Sequence, residues 1–563
     1  MTVSVANAWQ PGIGQAEGLN YTHPGTGAVE ISLKEILDNM PAIPQMFNAA
    51  ADNVTDDSTE LSNLLNSGQG IVTIPPGDYA VSGNITISNS VHVLAYGATF
   101  NWPSDTSANR GIIITASNVT IEGLEVVGPQ FATKVSTQKG ILATGTDNDP
   151  AAPTNLTDIK IINCKASNWG MYGINLTFVD GFEVRGCKVE DCEEGGIVGL
   201  SAVNGVIDGN YIDNITNSSA AWGITMTRNT AGDFTRRPLP RDIRITNNYV
   251  SNVTGWTGID CHGGDRVSMI GNQVYDCFRG CTLAIFDNGT NIQASRDCKI
   301  IGNTMVNEGI ATTAMGSGIV VSGSTSSFGN RNTVIGNTVK GFGDSDGTLG
   351  GTNTPSILVL YNTILNMDAN TIQNAGRIGL ELFGLGPCNS VTNTIIRDIV
   401  GTGGQGIRID PTGQTSECFI AGGVIDVAGH TAIFCEEDTA VKIGHIDFQG
   451  YSNITDHTGG ATIAGQYLDQ WLPVVTGETT WDPASIAAGS SASTTVSSVP
   501  GCSGACSVDV SFNRDLQGMT YQVVSGDTDK NVGAFTIYLY NNTSGAIDLA
   551  SMKVKYKVEL RNP

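Results

Sequence analysis

The sequence predicts an all-β chain whose larger part is a parallel β-helix, on three observations. Its 563 residues include 70 glycines, with only 15% charged and 7% aromatic residues, a composition of short strands and tight turns rather than packed helices. Between about residues 155 and 450 a corner motif recurs in IINCKASN, EVRGCKVEDC, VIDGNYIDNI, RITNNYVSNV, SMIGNQVYDC, KIIGNTMVNE, TVIGNTVKGF and NMDANTIQNA. Its asparagines, Asn210, Asn248, Asn272, Asn303, Asn337, Asn370 and Asn393, step by 23 to 38 residues, which is solenoid periodicity. A second series, YGINLT, GGIVGL, WGITMT, TGIDCH, SGIVVS, IGLELF, QGIRID and TAIFCE, falls between the first. Two strand series per coil and a third, irregular one describe stacked coils.

Stacking places like residues ~4.8 Å apart, so the asparagine column is expected to hydrogen-bond along the axis. Gly173, Gly196, Gly223, Gly258, Gly318, Gly379 and Gly406 are expected at the bends, where glycine adopts positive φ. Residues 1–50 form a non-repetitive neck in which SLKEILDNM puts Leu33, Ile36, Leu37 and Met40 on one helical face. Residues 51–470 form the β-helix. It opens on TDDSTELSNLLN, where Thr55, Asp56 and Asp57 are expected to cap a short helix, and on a Pro75-Pro76-Gly77 turn. After the Ser/Ala/Gly-rich stretch near 485–498, the alternation in CSVDVSF, TYQVV, AFTIYLYN and MKVKYKVEL predicts a β-sandwich over 471–563.

A formal net charge of −24 argues against a nucleic-acid partner, which would require a basic face. The chain opens without a signal-peptide pattern, and its apolar runs fall short of the ~18 residues that span a bilayer. Neither a membrane partner nor secretion by a signal peptide is expected. The 12 cysteines read as mostly buried thiols, with a local bridge conceivable between Cys502 and Cys506. Their spacing predicts no metal site, and no cofactor is expected.

Residues 23–100, with HPGTGAVEISLKEILDN, the TDDS before the short helix and IPPGDYAVSG, resemble the entrance of bacteriophage tailspikes in the pectate-lyase-like superfamily. The C-terminal TTWDPASIAAGSSASTTVSSVPG and the strands after it look like the β-sandwich that ends many such spikes. PQMFNAAADN stands where that family usually has KDFGA-GDG, so the coil-capping turn is altered. The resemblance implies a right-handed β-helix, a homotrimer, a virion location, attachment to a phage tail or baseplate through the N-terminal segment or an adaptor, and a bacterial surface polysaccharide as substrate.

Aligned on the Gly-Ile steps, Asn175, Val198, Thr225, Asp260, Val320, Glu381 and Arg408 form one outward column, and Thr177, Leu200, Thr227, His262, Ser322, Phe383 and Asp410 another. Asp260 and His262 thus share a face and can reach one sugar. Asp265 and Asp287, placed alike after successive turns, are expected to face each other as an acid and base pair. Glu381 with Asp410 is a second carboxylate pair, with the Arg408 guanidinium between them. Each of these residues can equally be solvated surface, a turn former or a plain ion pair. The insertion RNTAGDFTRRPLPRDIR carries Arg228, Arg236, Arg237, Arg241 and Arg244; it is expected to overhang the Asp260 groove and hold an anionic saccharide. Trp222 and Trp256 sit near the same edge, where they can stack on sugars. The Asp-x-His pattern also resembles the site of alginate epimerases and lyases, which keeps β-elimination beside the favoured hydrolysis. A non-catalytic glycan adhesin is the third reading.

Overall fold

A computed structural model gives the structure of the protein. It describes residues 3–5, 19–21, 31–32, 41–102, 111–129, 135, 137–146, 154–217, 220–228, 237–308, 316–343, 354–386, 389–401, 403–410, 417–435, 440–443, 446–449, 453–457, 474–496, 507–513, 515–525, 535–549 and 551–559. Contacts divide the chain into two units, 1–464 and 465–563.

The first unit is dominated by three long parallel sheets. Among the described residues sheet 1 has 14 strands, from Ile85–Ile87 to Asn453–His457; sheet 2 has 14, from Ile71–Thr73 to Ala440–Ile443; sheet 3 has 15, from Asp52–Asp56 to Asp447–Gln449. The chain visits sheets 1, 2 and 3 in turn, so each circuit adds one strand to each. The third series, expected to be irregular, is as regular as the others. Its strands are the short ones that follow the corner inside the repeated motifs, as in Gln273–Tyr275 of SMIGNQVYDC and Thr338–Lys340 of TVIGNTVKGF.

Alternation drives the assembly. In Thr257–His262, Ile259 and Cys261 are wholly buried in the continuous core; the same parity puts Met269 and Val274 inside from the other two sheets. The nine described cysteines are free and buried. Burial pushes the thiols of Cys192, Cys277, Cys298 and Cys418 up to about 12, so they behave as small apolar side chains.

The corner from sheet 2 to sheet 3 is two residues long in coil after coil: Ile270 to Gln273, Ile301 to Thr304, Ile335 to Thr338. Its first residue takes positive φ, as at Gly271, Gly302, Gly336 and Ala369; its second is the column asparagine. Asn272 donates from Nδ2 to Asn303 Oδ1 and to the Ile245 carbonyl, both at 2.9 Å. Its Oδ1 accepts from the Asn248 side chain at 2.9 Å and the Asn248 backbone N–H at 3.0 Å. All four hydrogen-bonding positions of the amide are therefore used inside the protein. The ladder runs Asn210, Asn248, Asn272, Asn303, Asn337, Asn370. Asn393 is not its next rung. It is the positive-φ residue of its corner, with its amide on Asp368 at 2.9 Å, and Thr394 stands in the column position.

The glycine series also differs from expectation. Gly173, Gly196, Gly223, Gly258, Gly318, Gly379 and Gly406 are absent from the positive-φ residues. They are glycine because the interior is tight: a Cβ on Gly258 would come 2.5 Å from Val274 Cγ1, and one on Gly223 2.4 Å from Val250 Cγ1.

At the entrance, Ser58–Leu65 is the expected helix, but its capping differs in detail. Asp56 accepts the Ser58 N–H at 3.1 Å, while buried Asp57 instead accepts the backbone N–H groups of Ala50 and Ala51 at 2.6 and 3.1 Å. Ser32 ends a strand, Ile31–Ser32; the rest of the helix expected in SLKEILDNM lies outside the described residues. The second unit has two three-stranded antiparallel sheets, Val474–Trp481, Met552–Glu559 and Ser507–Phe512 in one and Ser491–Val496, Phe535–Tyr540 and Thr520–Ser525 in the other. Trp481, Met552 and Val554 of the first and Phe535, Ile537 and Leu539 of the second share one core. Cys502 and Cys506 lie outside the described residues.

Asn303→Ala should orphan buried partners above and below it and cost about 1–3 kcal/mol, whereas Asn393→Ala should cost about 0.5 kcal/mol or less. Thermal and denaturant unfolding of the two variants side by side would check the difference.

Candidate functional site

Variation in the repeat is confined to the two margins of sheet 1. Long segments leave the ends of its strands (228–240, 285–298, 323–332) and others lead into them (307–318, 341–356), while the opposite corner stays at two residues. The outer face of sheet 1 is thus the face at whose two margins the insertions enter and leave the repeat, which makes it the candidate groove.

The strand register fixes what lines it. Asn175, Val198, Thr225, Asp260, Thr282, Val320, Leu358, Glu381 and Arg408 pair in succession. The column expected from sequence is present, with two rows added, Thr282 and Leu358, from strands without a Gly-Ile step. Asp260 and Glu381 are therefore four strands apart, ~19 Å at ~4.8 Å per strand, and form separate centres.

At the first centre His262 Nε2 meets Asp260 Oδ2 at 2.6 Å. Thr225 Oγ1 donates to the same oxygen at 3.5 Å. Asp260 is wholly buried, and its Oδ1 has no partner among the described residues. Burial is the largest influence on His262 and pushes its pKa down, but the Asp260 charge, the Asp260 hydrogen bond and a backbone hydrogen bond at Ile285 together raise it above the usual value of 6.5. The short contact thus favours the protonated form of the His262 ring. Beyond the strand end, Leu239 and Phe286 pack against Gly263.

The arginine insertion does not take the arrangement expected of it. Arg228 is almost fully buried, with its guanidinium 5.1 Å from the Phe286 ring centroid, because a planar cation packs on an aromatic face when desolvated. Arg237 lies over Phe178 at 5.7 Å. Arg241 and Arg244 belong to the sheet 2 strand Arg241–Thr246, and Arg236 lies outside the described residues. A cation that sequence reasoning missed, Arg279, stands against the head of the Asp260 strand, its carbonyl accepting the Gly258 N–H at 2.9 Å. It sits 4.3 Å over the Trp256 ring, and Asp260 acts on its charge. Trp222 is half-buried with its Nε1 buried and unpaired.

The expected opposition of Asp265 and Asp287 is not formed. Asp265 heads a sheet 2 row and accepts Arg266 at 2.8 Å and Arg296 at 2.7 Å, one on each oxygen. Asp287 is exposed on a small hairpin, Phe286–Asp287 with Ile292–Gln293, where its Oδ1 accepts the Gly289 N–H at 2.7 Å. Both are held by local structure.

At the second centre Arg408 contacts Glu381 at 3.3 Å and Asp410 at 3.9 Å through different nitrogens. By register Glu381 stands opposite Arg408 and Phe383 opposite Asp410, so the two carboxyl groups sit on adjacent strands, two residues out of step. Both side chains keep some exposure, 10% and 16%. Phe383, on the Glu381 strand, meets Tyr361 edge-on at 5.5 Å, and Tyr361 meets Phe328 at 5.8 Å, giving the centre an aromatic margin.

Residues 106–293 match the family model of the right-handed β-helix region. The first unit is a right-handed parallel β-helix. Among solved structures, this β-helix chain is similar to a tailspike protein of E. coli bacteriophage HK620 in complex with a pentasaccharide, at 11% identity over 97% of this chain and 98% of that one with a TM-score of 0.51. It is also similar to PfbA, a surface adhesin of Streptococcus pneumoniae, at 12% identity over 75% and 91% with a TM-score of 0.42. The A-module of the Azotobacter vinelandii mannuronan C-5 epimerase AlgE4 matches at 14% identity over 75% and 100% with a TM-score of 0.43. No curated protein matches the sequence.

The sign of the His262 shift predicts a pH dependence. A histidine raised by its partner contributes stability that is full below the unfolded value of about 6.5 and is lost as pH rises through the higher folded value. The stability advantage of the native chain over Asp260→Asn should therefore be greatest near pH 6 and shrink above it. In NMR titrations the His262 ring protons should titrate above 6.5, and Asp260→Asn should move the transition downward.

Proposed function

We propose that the chain binds a bacterial surface polysaccharide along the outer face of sheet 1 and depolymerises it by hydrolysis, as the tailspike of a phage adsorbing to its host. One observation carries the reading: Glu381 and Asp410 are two partly exposed carboxylates on adjacent strands of a loop-bordered face, held by one guanidinium. In such a pair one carboxyl group gives its proton to the leaving glycosidic oxygen. The other takes a proton from the water that attacks the anomeric carbon. The long groove suits a polymer, and the tailspike similarity, spanning nearly the whole of both chains, supports the architecture on which the assignment rests. In this reading the chain is a homotrimer attached to the virion by its N-terminal segment or an adaptor, and residues 471–563 hold the trimer or touch glycan.

A second reading places the reaction at Asp260 and His262, with a proton moved at C5 of a uronic acid by elimination or epimerisation. The unpaired Oδ1 of Asp260 favours it, being an acceptor already stripped of water. A non-catalytic adhesin is the reading that remains if neither centre turns over.

Capsule from a susceptible strain, incubated with the protein and analysed for product ends, separates the three. New reducing ends without an ultraviolet-absorbing double bond identify hydrolysis, the double bond identifies elimination, and intact polymer identifies an adhesin. Glu381→Gln and Asp410→Asn should each reduce depolymerisation by ~10²-fold or more with glycan retention kept. If Asp260→Asn alone has that effect, the second reading holds. Deleting residues 471–563 should turn a trimer into monomers or aggregates by light scattering; an unaltered trimer would remove that role from the C-terminal unit.

A further inference from the structure

Several arginines on the described surface of the β-helix are tied to acids. Arg266 bonds Asp242 and Asp265, Arg296 bonds Asp265, Arg331 bonds Asp297, and Arg408 bonds Glu381. Arg279 departs from this pattern. Its guanidinium has no acid within ion-pair distance among the described residues, and its contacts are aromatic, Trp256 at 4.3 Å and Phe278 at 5.5 Å. The position is built for the side chain. A Cβ on Gly316 would come 2.5 Å from Arg279 Cγ, so glycine at 316 leaves the channel in which the arginine stem lies. The Arg279 carbonyl accepts the Gly258 N–H at 2.9 Å, which sets the residue against the head of the Asp260 strand; burial lowers its pKa and the Asp260 charge raises it.

The polar atoms around it are unsatisfied as a group. Asp260 Oδ1, Thr282 Oγ1, Thr257 Oγ1 and Trp222 Nε1 are buried and without partners among the described residues. By register they fall in two pairs, Asp260 with Thr282 and Trp222 with Thr257, three residues apart along the Thr257–His262 strand. Buried polar atoms left unpaired cost about 1–3 kcal/mol each, and four together on the face of one groove describe the imprint of a polar ligand. Two hydroxyls and an indole N–H can donate, a carboxylate oxygen can accept, and a planar cation stands at the edge. A pyranose carrying a carboxylate offers the complementary set.

We propose that Arg279, lying flat on Trp256, with Asp260 Oδ1 and Thr282 Oγ1, forms a subsite for an acidic sugar residue, the guanidinium taking the sugar carboxylate as a two-pronged pair. The glycan assignment of the groove is the premise; the further content is that the polymer is acidic and that Arg279 reads its charge. At ~19 Å from Glu381, the subsite would hold the chain several sugars away from the bond cut there.

The test is direct binding. Sodium glucuronate, galacturonate and mannuronate, with glucose and sodium sulfate as controls, are titrated into the full chain at low ionic strength and followed by tryptophan fluorescence. At least one uronate should bind saturably, with glucose and sulfate at least tenfold weaker. Arg279→Gln should lose the uronate response tenfold or more, since a carboxylate pair to arginine is charge-assisted and bidentate. Arg279→Lys should recover only part of it, because a point charge cannot stack or fork. Trp256→Leu should weaken binding with the charge retained. Unchanged uronate binding in Arg279→Gln overturns the proposal, as does equal binding of sulfate or no uronate binding by the native chain. Far-UV spectra and melting of Arg279→Lys show whether a loss in Arg279→Gln comes from misfolding; if both variants melt early, the native chain's uronate-over-glucose selectivity and Trp256→Leu decide. The proposal can fail independently of the functional reading: uronate binding without depolymerisation leaves the subsite standing and removes the enzyme, and neutral-polymer cleavage without uronate binding does the reverse.

Discussion

The asparagine ladder at the sheet 2 to sheet 3 corner is the constraint on which the rest of the molecule depends. An amide with all four hydrogen-bonding positions satisfied by the coils above and below cannot shift along the axis without orphaning several buried groups at once. That corner therefore stays two residues long, and the coil spacing is set there. A coil gaining residues must take them elsewhere, at the two margins of sheet 1. The groove is in this sense a consequence of the ladder: one edge of the stack is pinned, so diversity collects on the face away from it.

The same pinning makes the groove a ruler. Parallel pairing without slippage from Asn175 to Arg408 puts each outward side chain at a fixed multiple of the strand spacing. Distances between functional groups follow from counting strands, and two missed strands change them greatly. The Gly-Ile marker identified Thr257–His262 and Ile378–Phe383 but not Cys281–Ala284 or Ile357–Leu360. Asp260 and Glu381 were ordered correctly from sequence, yet their ~19 Å separation emerged only with the full strand count.

What was legible follows from which forces act locally. Alternation of apolar residues and the repeated Gly-Asn corner are local, so the coil stack, the helix at Ser58–Leu65 and most of the ladder could be read directly. Asn393 misled because one corner uses asparagine for two purposes, positive φ at its first residue and the ladder at its second; Asn247 and Asn248 hold both places in succession. Charge was the least legible quantity. Five arginines in one insertion suggested a basic overhang, but packing against Phe286 buries Arg228, and the strand Arg241–Thr246 carries two more to sheet 2. Arg279 looked unremarkable in FRGCTLA, since its importance comes from Trp256 and Gly316, 23 residues before it and 37 after.

The position of the Asp260 centre also has an energetic logic. A solenoid is stabilised by the sum of its coils and the interfaces between neighbours. A coil carrying a buried acid and several unpaired polar atoms is locally expensive. At either end of the stack it would be held by one interface and would fray; in the interior it is held by two. The Thr257–His262 strand is the seventh of the 14 in sheet 1, and fully apolar rungs flank it in the core on both sides, Ile224 and Met226 before it and Cys281 and Leu283 after it. The centre occupies the place where the fold can best tolerate unpaired polar atoms, which is what separates it from Asp265, whose two oxygens both accept arginine, and from Asp287, which stays exposed on its hairpin.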